Sequence, residues 1–187
     1  MQPGFKKEAV LRGLPPLGAI IVMGVSGSGK STLGRLLAAE LACAFIEGDE
    51  LHDAANVAKM RSGQPLVDAD RWPWLDRLGS ALAKEIAAHG VAVAACSALR
   101  FRYRERLCRA IAAPVSFIML DASATELEQR LKRRAGHFMP SSLLASQLAT
   151  LERPRDHEHA LILDASQPSA LLCKASRDWL LSEASQG

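Results

Sequence analysis

The stretch Ala19–Leu33, AIIVMGVSGSGKSTL, constrains this chain more than any other. A short apolar run, Ala19 to Met23, stops at Gly24; four residues later come Gly29, Lys30, Ser31 and Thr32. G-x4-G-K-[ST] is the spacing of a phosphate-binding loop set between a strand and a helix. The residue types follow from the chemistry. Gly24, Gly27 and Gly29 let the backbone curl so that successive N–H groups point at phosphate oxygens. The helix that opens next favours an anion at its N-terminus. Lys30 reaches the β- and γ-phosphates, and the Ser31 hydroxyl is placed for Mg²⁺. Gly24, Val25, Ser26, Gly27, Ser28, Gly29, Lys30, Ser31 and Thr32 are therefore the expected nucleotide-binding residues, with ATP and Mg²⁺ as the expected ligands. A plain Gly/Ser-rich turn would not need this context on both sides.

At 187 residues the chain is read as one domain. An apolar share of 49% and a charged share of 23% are ordinary for a globular protein. The net charge of +3 is too small to call for a polyanionic partner, although basic residues bunch in Arg100–Arg109 and Arg130–Arg134. A phosphate-handling site or a solvated helix face accounts for those bunches better than nucleic acid. Cys43, Cys96, Cys108 and Cys173 form no C-x-x-C pair and read as free, buried thiols of a reducing compartment. No apolar run is long enough for a membrane span. Residues 1–18 are expected to be a flexible lead-in and 19–187 a single domain, in a cytoplasmic protein.

Along the chain, Ser31–Leu41 reads as a helix and Cys43–Glu47 as a second strand. Asp49 follows at the carboxyl end of that strand, where open parallel sheets bind ligands and where an acceptor hydroxyl should sit. His52–Ser62 reads as helical, and Arg71–His89 as a long helix ending at Gly90. Before it, Asp68 or Asp70 is the expected cap, and Arg71 suits the clamping of an anion. Val91–Cys96 is a strand, 102–112 a basic helix, and Val115–Leu120 a strand closed by Asp121. Asp121 reads as the plain end of its strand rather than as a Mg²⁺ ligand. Ser123 or Thr125 caps the next helix. After Ser141–Leu151, again helical, come a fifth strand, Ala160–Asp164, and a last helix from Pro168. Five apolar strands alternating with helices give an α/β fold of three layers, a five-stranded parallel sheet with helices on both faces. With the loop after its first strand, this is the P-loop NTPase/kinase architecture. No N-K-x-D guanine-reading stretch is present, and the size favours a small kinase. Arg130–Gly136, with four basic residues among five, has the charge and position of a mobile lid spanning about 130–154. Arg130 and Arg134 would then neutralise charge on the transferred phosphoryl group.

Several stretches together resemble the small gluconokinases of the phosphate-loop kinase class. They are MGVSGSGKST (23–32), GDELH (48–52), NVAKMRSGQPLVDADRWPWL (56–75), CSALRFRYRERL (96–107), RLKRRAGHFMP (130–140) and LLASQLATLERP (143–154). The first is common to many kinases; the combination is specific. Val67, Ala69 and the basic, His-rich RPRDHEHA after Leu151 depart from the pattern. The resemblance implies transfer of a phosphoryl group from ATP to D-gluconate, and a homodimer. It implies an anionic polyol site for which Arg71, Lys59, His52, Arg104 and His137 are suitable, with Lys30, Asp49 and Arg134 as the catalytic set. Asp49 is then either the base that orients the C6 hydroxyl or the anchor of the Mg²⁺ water shell. Two other readings remain at this point: a kinase for another anionic hydroxy compound, such as shikimate, and a nucleotide-dependent nucleic-acid-binding regulator. Lys30→Ala should abolish turnover if the loop handles phosphate; a steady-state assay giving near-normal kcat would remove the loop assignment.

Overall fold

The computed structural model describes residues 17–133 and 141–184. Five parallel strands form one sheet in the order β2-β3-β1-β4-β5. They are β1 (Gly18–Met23), β2 (Ala44–Glu47), β3 (Val91–Ala95), β4 (Val115–Asp121) and β5 (Ala160–Asp164). Helices α1 (Lys30–Glu40), α2 (Ala54–Arg61), α3 (Asp68–His89), α4 (Phe101–Ile111), α5 (Ala124–Arg133), α6 (Ser141–Thr150) and α7 (Ser169–Ala184) supply the crossovers and covers. A 3₁₀ turn, Gly48–Leu51, leaves the end of β2. The expected α/β sheet is thus present. Most of the lead-in, together with Arg134 and His137 of the expected lid, lies outside the described residues. Gly18 already belongs to β1.

β1 is the middle of the sheet. Ile20 pairs with Val93 on one side and Ser116 on the other, and the register runs on through Val22 opposite Ala95 and Ile118. Every residue of β1 is buried, so alternate side chains feed two cores. Ala19, Ile21 and Met23 meet Leu75, Leu78 and Leu82 of α3 and Leu107 and Ile111 of α4. Ile20 and Val22 meet Leu33 and Leu37 of α1 and Leu172 and Leu180 of α7. Each fully buried aliphatic side chain contributes roughly 1.5–3 kcal/mol. A smaller cluster joins Val25 of the loop to Leu99, Leu127 of α5 and Leu144 of α6.

Helix starts were the least legible features. α3 begins at Asp68, three residues before the expected Arg71, because the Asp70 carboxylate takes the Val67 N–H (3.0 Å) while Val67 C=O accepts from Asp70 (3.1 Å). Asp70 is therefore the capping acid, and Asp68 is left to accept the Tyr103 hydroxyl (2.6 Å). α2 begins at Ala54, where Asp53 caps the Asn56 N–H (2.8 Å). Ser123, not Thr125, caps α5: its Oγ accepts from Glu126 N–H (3.3 Å) and its own N–H donates to the Glu126 carboxylate (3.0 Å). None of the four cysteines is in a disulfide; Cys96 is buried, Cys43 and Cys173 are half-buried, and Cys108 is exposed, against the expectation of a buried thiol. Among the described residues no helix is long and apolar enough to cross a membrane.

α3 and α4 approach closely at Gly79, where an added Cβ would lie 2.4 Å from the Ala110 Cβ. Gly79→Ala gains about 1 kcal/mol of helix propensity. Overpacking of about 1–3 kcal/mol outweighs it. A thermal melt should show Tm lower by about 2–4 °C per kcal/mol lost; an unchanged or higher Tm would mean that the helices part without cost.

Candidate functional site

The turn from β1 into α1 is bent as the glycine spacing requires. Gly24 has φ +136° and an added Cβ would stand 2.8 Å from the Leu120 carbonyl oxygen; Gly29 has φ +103°. Both conformations disfavour an L side chain. The Gly24 N–H donates to Ser97 C=O (3.3 Å), and Ser28 N–H closes onto Val25 C=O (3.2 Å). Among the described residues the N–H groups of Gly27, Gly29, Ser31 and Thr32 meet no protein acceptor. Ser28 Oγ is buried and unpartnered as well. A set of open donors at a helix N-terminus fits an anion. Lys30 Nζ donates to Val25 C=O (3.1 Å), which folds its ammonium back over the loop.

Across the cleft, the 3₁₀ turn puts Asp49 beyond the carboxyl end of β2; the residue is exposed, its carbonyl accepts from His52 N–H (3.4 Å), and its carboxylate has no hydrogen bond or ion pair among the described residues. His52 stacks on the buried Trp74, ring centroids 4.2 Å apart, and Trp74 Nε1 donates to Gly48 C=O (2.7 Å). Asn56, buried, spends its amide hydrogens on Asp70 C=O (2.8 Å) and on His52 Nδ1 (3.4 Å). Nδ1 is thus the acceptor, and His52 carries its proton on Nε2. Burial lowers its pKa; Asp49 and Asp53 pull it up, Arg71 and Arg77 push it down, and the balance keeps the ring neutral.

Arg71, on the first turns of α3, has its Nε buried with no partner. Its charge is felt by His52, Cys96 and Tyr103, and its guanidinium lies 5.5 Å from the Tyr103 ring centroid. Burial pushes the Cys96 thiol up to about 12, with Asp49 raising and Lys30 and Arg71 lowering it. One buried atom at the end of β3 therefore feels Lys30 from the loop, Asp49 from the β2 side and Arg71 from α3. The cleft where the strand order reverses holds all three.

The remaining expected residues are placed differently. Lys59 is held by Asp70 (2.6 Å) and half exposed, one pair away from Arg71. Arg130 reaches across the back of the loop, donating to Ala165 C=O (2.5 Å) and Ser28 C=O (3.4 Å). Asp121 pairs with Arg153 and ends its strand as expected. Arg104 is the correction. It is fully buried, and its five N–H donors go to the Glu158 carboxylate (2.5 and 2.9 Å) and to the carbonyls of Ala98, Glu152 and Arg153. No donor is left for a substrate carboxylate. Its role is to pin the chain after α6 to α4, where Glu152 also caps Phe101 N–H (2.8 Å). Asn56, Tyr103 and Gln147 were missed by the sequence reading. Each lies inside a stretch that carries the resemblance, but an uncharged side chain gives no chemical signal of its own there.

A family profile described as "AAA domain" matches residues 20–154. The gluconokinase of Gluconobacter oxydans is 54% identical over 139 residues, covering 74% of this chain and 78% of that one. The thermosensitive gluconokinase of Escherichia coli is 44% identical over 144 residues, covering 77% and 76%. The solved structure of a gluconokinase from Sinorhizobium meliloti superposes with a TM-score of 0.83 at 43% identity, covering 92% of this chain and 96% of that one.

Arg104→Ala would leave the Glu158 carboxylate, 6% exposed, without its partner. Burial works to raise the Glu158 pKa, but Arg104 and the Arg155 N–H together hold it below the usual range. The pair's stabilisation is therefore complete above the ordinary carboxylate range and is lost as pH falls through the lower folded-state value. Urea unfolding at neutral pH should show a loss of about 3–5 kcal/mol; an unchanged midpoint would return Arg104 to the substrate side.

Proposed function

Because this chain belongs to the gluconokinase family, we propose that it phosphorylates D-gluconate with ATP, giving ADP and 6-phospho-D-gluconate. The observation that carries the reading is the meeting of two open donor sets in one cleft. The phosphate loop offers N–H groups with no protein acceptor, and Arg71 offers a buried, unpartnered Nε beside Asp49 and His52. The first suits a polyphosphate and the second the carboxylate of a sugar acid.

In the reaction the bond from the γ-phosphorus to the bridging oxygen breaks, a bond to the C6 oxygen forms, and the hydroxyl proton leaves. Asp49 receives or orients that hydroxyl. His52, neutral with Nε2–H outward from Asn56, donates to a polyol oxygen. Arg71 grips the carboxylate, and Lys59 adds charge from its pair with Asp70. Lys30 serves the terminal phosphates and Arg130 closes the nucleotide side. Bound Mg²⁺ would neutralise charge between the β- and γ-phosphates. Ser31, which closes the G-x4-G-K-[ST] pattern, would supply the hydroxyl for it. Arg134 and His137 belong to the same proposal through the resemblance, as do a moving lid, a homodimer and a cytoplasmic location.

The test is ADP release with Mg·ATP and D-gluconate, shikimate or glucose, or with no acceptor. Gluconate alone should stimulate it, with 6-phosphogluconate formed in equal amount. Transfer to shikimate, or ADP release that ignores the acceptor, overturns the substrate reading. Arg71→Leu should raise the gluconate KM about 10–100-fold, the weight of about 1.5–3 kcal/mol for a hydrogen bond to a charged group, and leave the ATP KM nearly unchanged.

A further inference from the structure

One side chain from α6 reaches the phosphate loop. The Ser26 N–H donates to Gln147 Oε1 at 2.7 Å, across 121 residues of sequence. A backbone N–H can only donate, so the amide oxygen must face it, and this fixes which end of the carboxamide is which. Nε2 is carried on the same planar carbon and therefore stands within a few ångströms of the loop. Among the described residues Nε2 has no acceptor.

The helix that presents Gln147 is seated rather than loose. Leu144 is buried in the cluster with Val25, Leu99 and Leu127, and Leu148 and Leu131 pack against it. Val25 is the residue before Ser26, so the apolar contact and the hydrogen bond hold the same limb of the loop. That limb is satisfied by protein: Gly24 N–H by Ser97, Ser26 N–H by Gln147, Ser28 N–H by Val25. The N–H groups of Gly27, Gly29, Ser31 and Thr32 are left for the anion. Gln147 thus brings a neutral, oriented NH₂ group to the rim of an anion cradle without adding charge there.

We propose that Gln147 is a terminal-phosphate contact: its oxygen fixes the outer limb of the loop through Ser26, and its Nε2 hydrogens donate to the γ-phosphoryl group of bound ATP. The assignment rests on the ATP reading above. It makes α6, which falls within the expected lid stretch, part of the discrimination between a nucleoside triphosphate and a diphosphate.

Gln147→Glu isolates the nitrogen. The new carboxylate still accepts from Ser26 N–H, but it sets a negative oxygen where the donor was. Calorimetry should compare ADP with a non-hydrolysable ATP analogue, both with Mg²⁺, on wild type, Gln147→Glu and Gln147→Leu. In wild type both nucleotides should bind. In Gln147→Glu the triphosphate should weaken at least about tenfold more than ADP, as loss of a charge-assisted hydrogen bond requires, with kcat falling and Tm held. Gln147→Leu, which loses both contacts, should weaken both nucleotides and the triphosphate more. Equal losses for the two nucleotides in both variants, or wild-type binding and kcat in Gln147→Glu, would reduce Gln147 to a brace for the loop and overturn the proposal. Failure of wild type to bind either nucleotide would overturn the ATP reading itself, and this assignment with it.

Discussion

The donors left open between β1 and α1 are the constraint on which the rest of this structure depends. An unpaired buried polar group costs about 1–3 kcal/mol, and this loop keeps several N–H groups and the Ser28 hydroxyl without protein partners. A turn built that way does not hold its shape alone. It is held because β1 is paired on both sides and buried on both faces, so the strand delivers Gly24 to one place. It is held from outside because Val25 is packed against α5 and α6. The carboxyl ends of β2 and β3 stand in register with that point: Glu47 opposite Ala95, and Ala95 opposite Val22. Asp49 and Cys96 leave the sheet at the same level as the loop.

How far this was legible in the sequence depended on the kind of signal. The unbroken apolar run of β1 and the glycine spacing at 24, 27 and 29 are local, and both strand and loop followed from them. Helix starts failed where the deciding partner was a competing acid: Asp68 and Asp70 look alike in sequence, and only the Val67 N–H and Tyr103 hydroxyl tell them apart. Arg71 and Arg104 show the same limit at the site. Both are arginines in stretches that carry the family resemblance. Arg104 is consumed by Glu158, which lies 54 residues away in the part of the chain that departs from the family pattern. No local pattern announces a partner at that distance. Gln147 was illegible for a related reason, since an amide at mid-helix carries neither charge nor period.

The cleft has to bring a carboxylate-bearing substrate up to a polyphosphate, and its charges are arranged for that. Two unit charges 4 Å apart repel by about 4 kcal/mol at an effective dielectric of 20. Lys30 opens α1 and Arg71 lies on α3, so under the proposed assignment each anion would meet its own cation. Asp49 would add to the repulsion if it were buried with them. It is exposed, where water screens its charge. His52 completes the arrangement by staying neutral. Packing against Trp74 and the Asn56 amide on Nδ1 leave it a single free N–H, which under the proposed assignment would orient a hydroxyl without drawing the substrate carboxylate away from Arg71. A protonated His52 would compete for that carboxylate and would meet the Asn56 amide donor with a second donor. The packing that half-buries the ring therefore also favours the neutral form that the proposed substrate site requires.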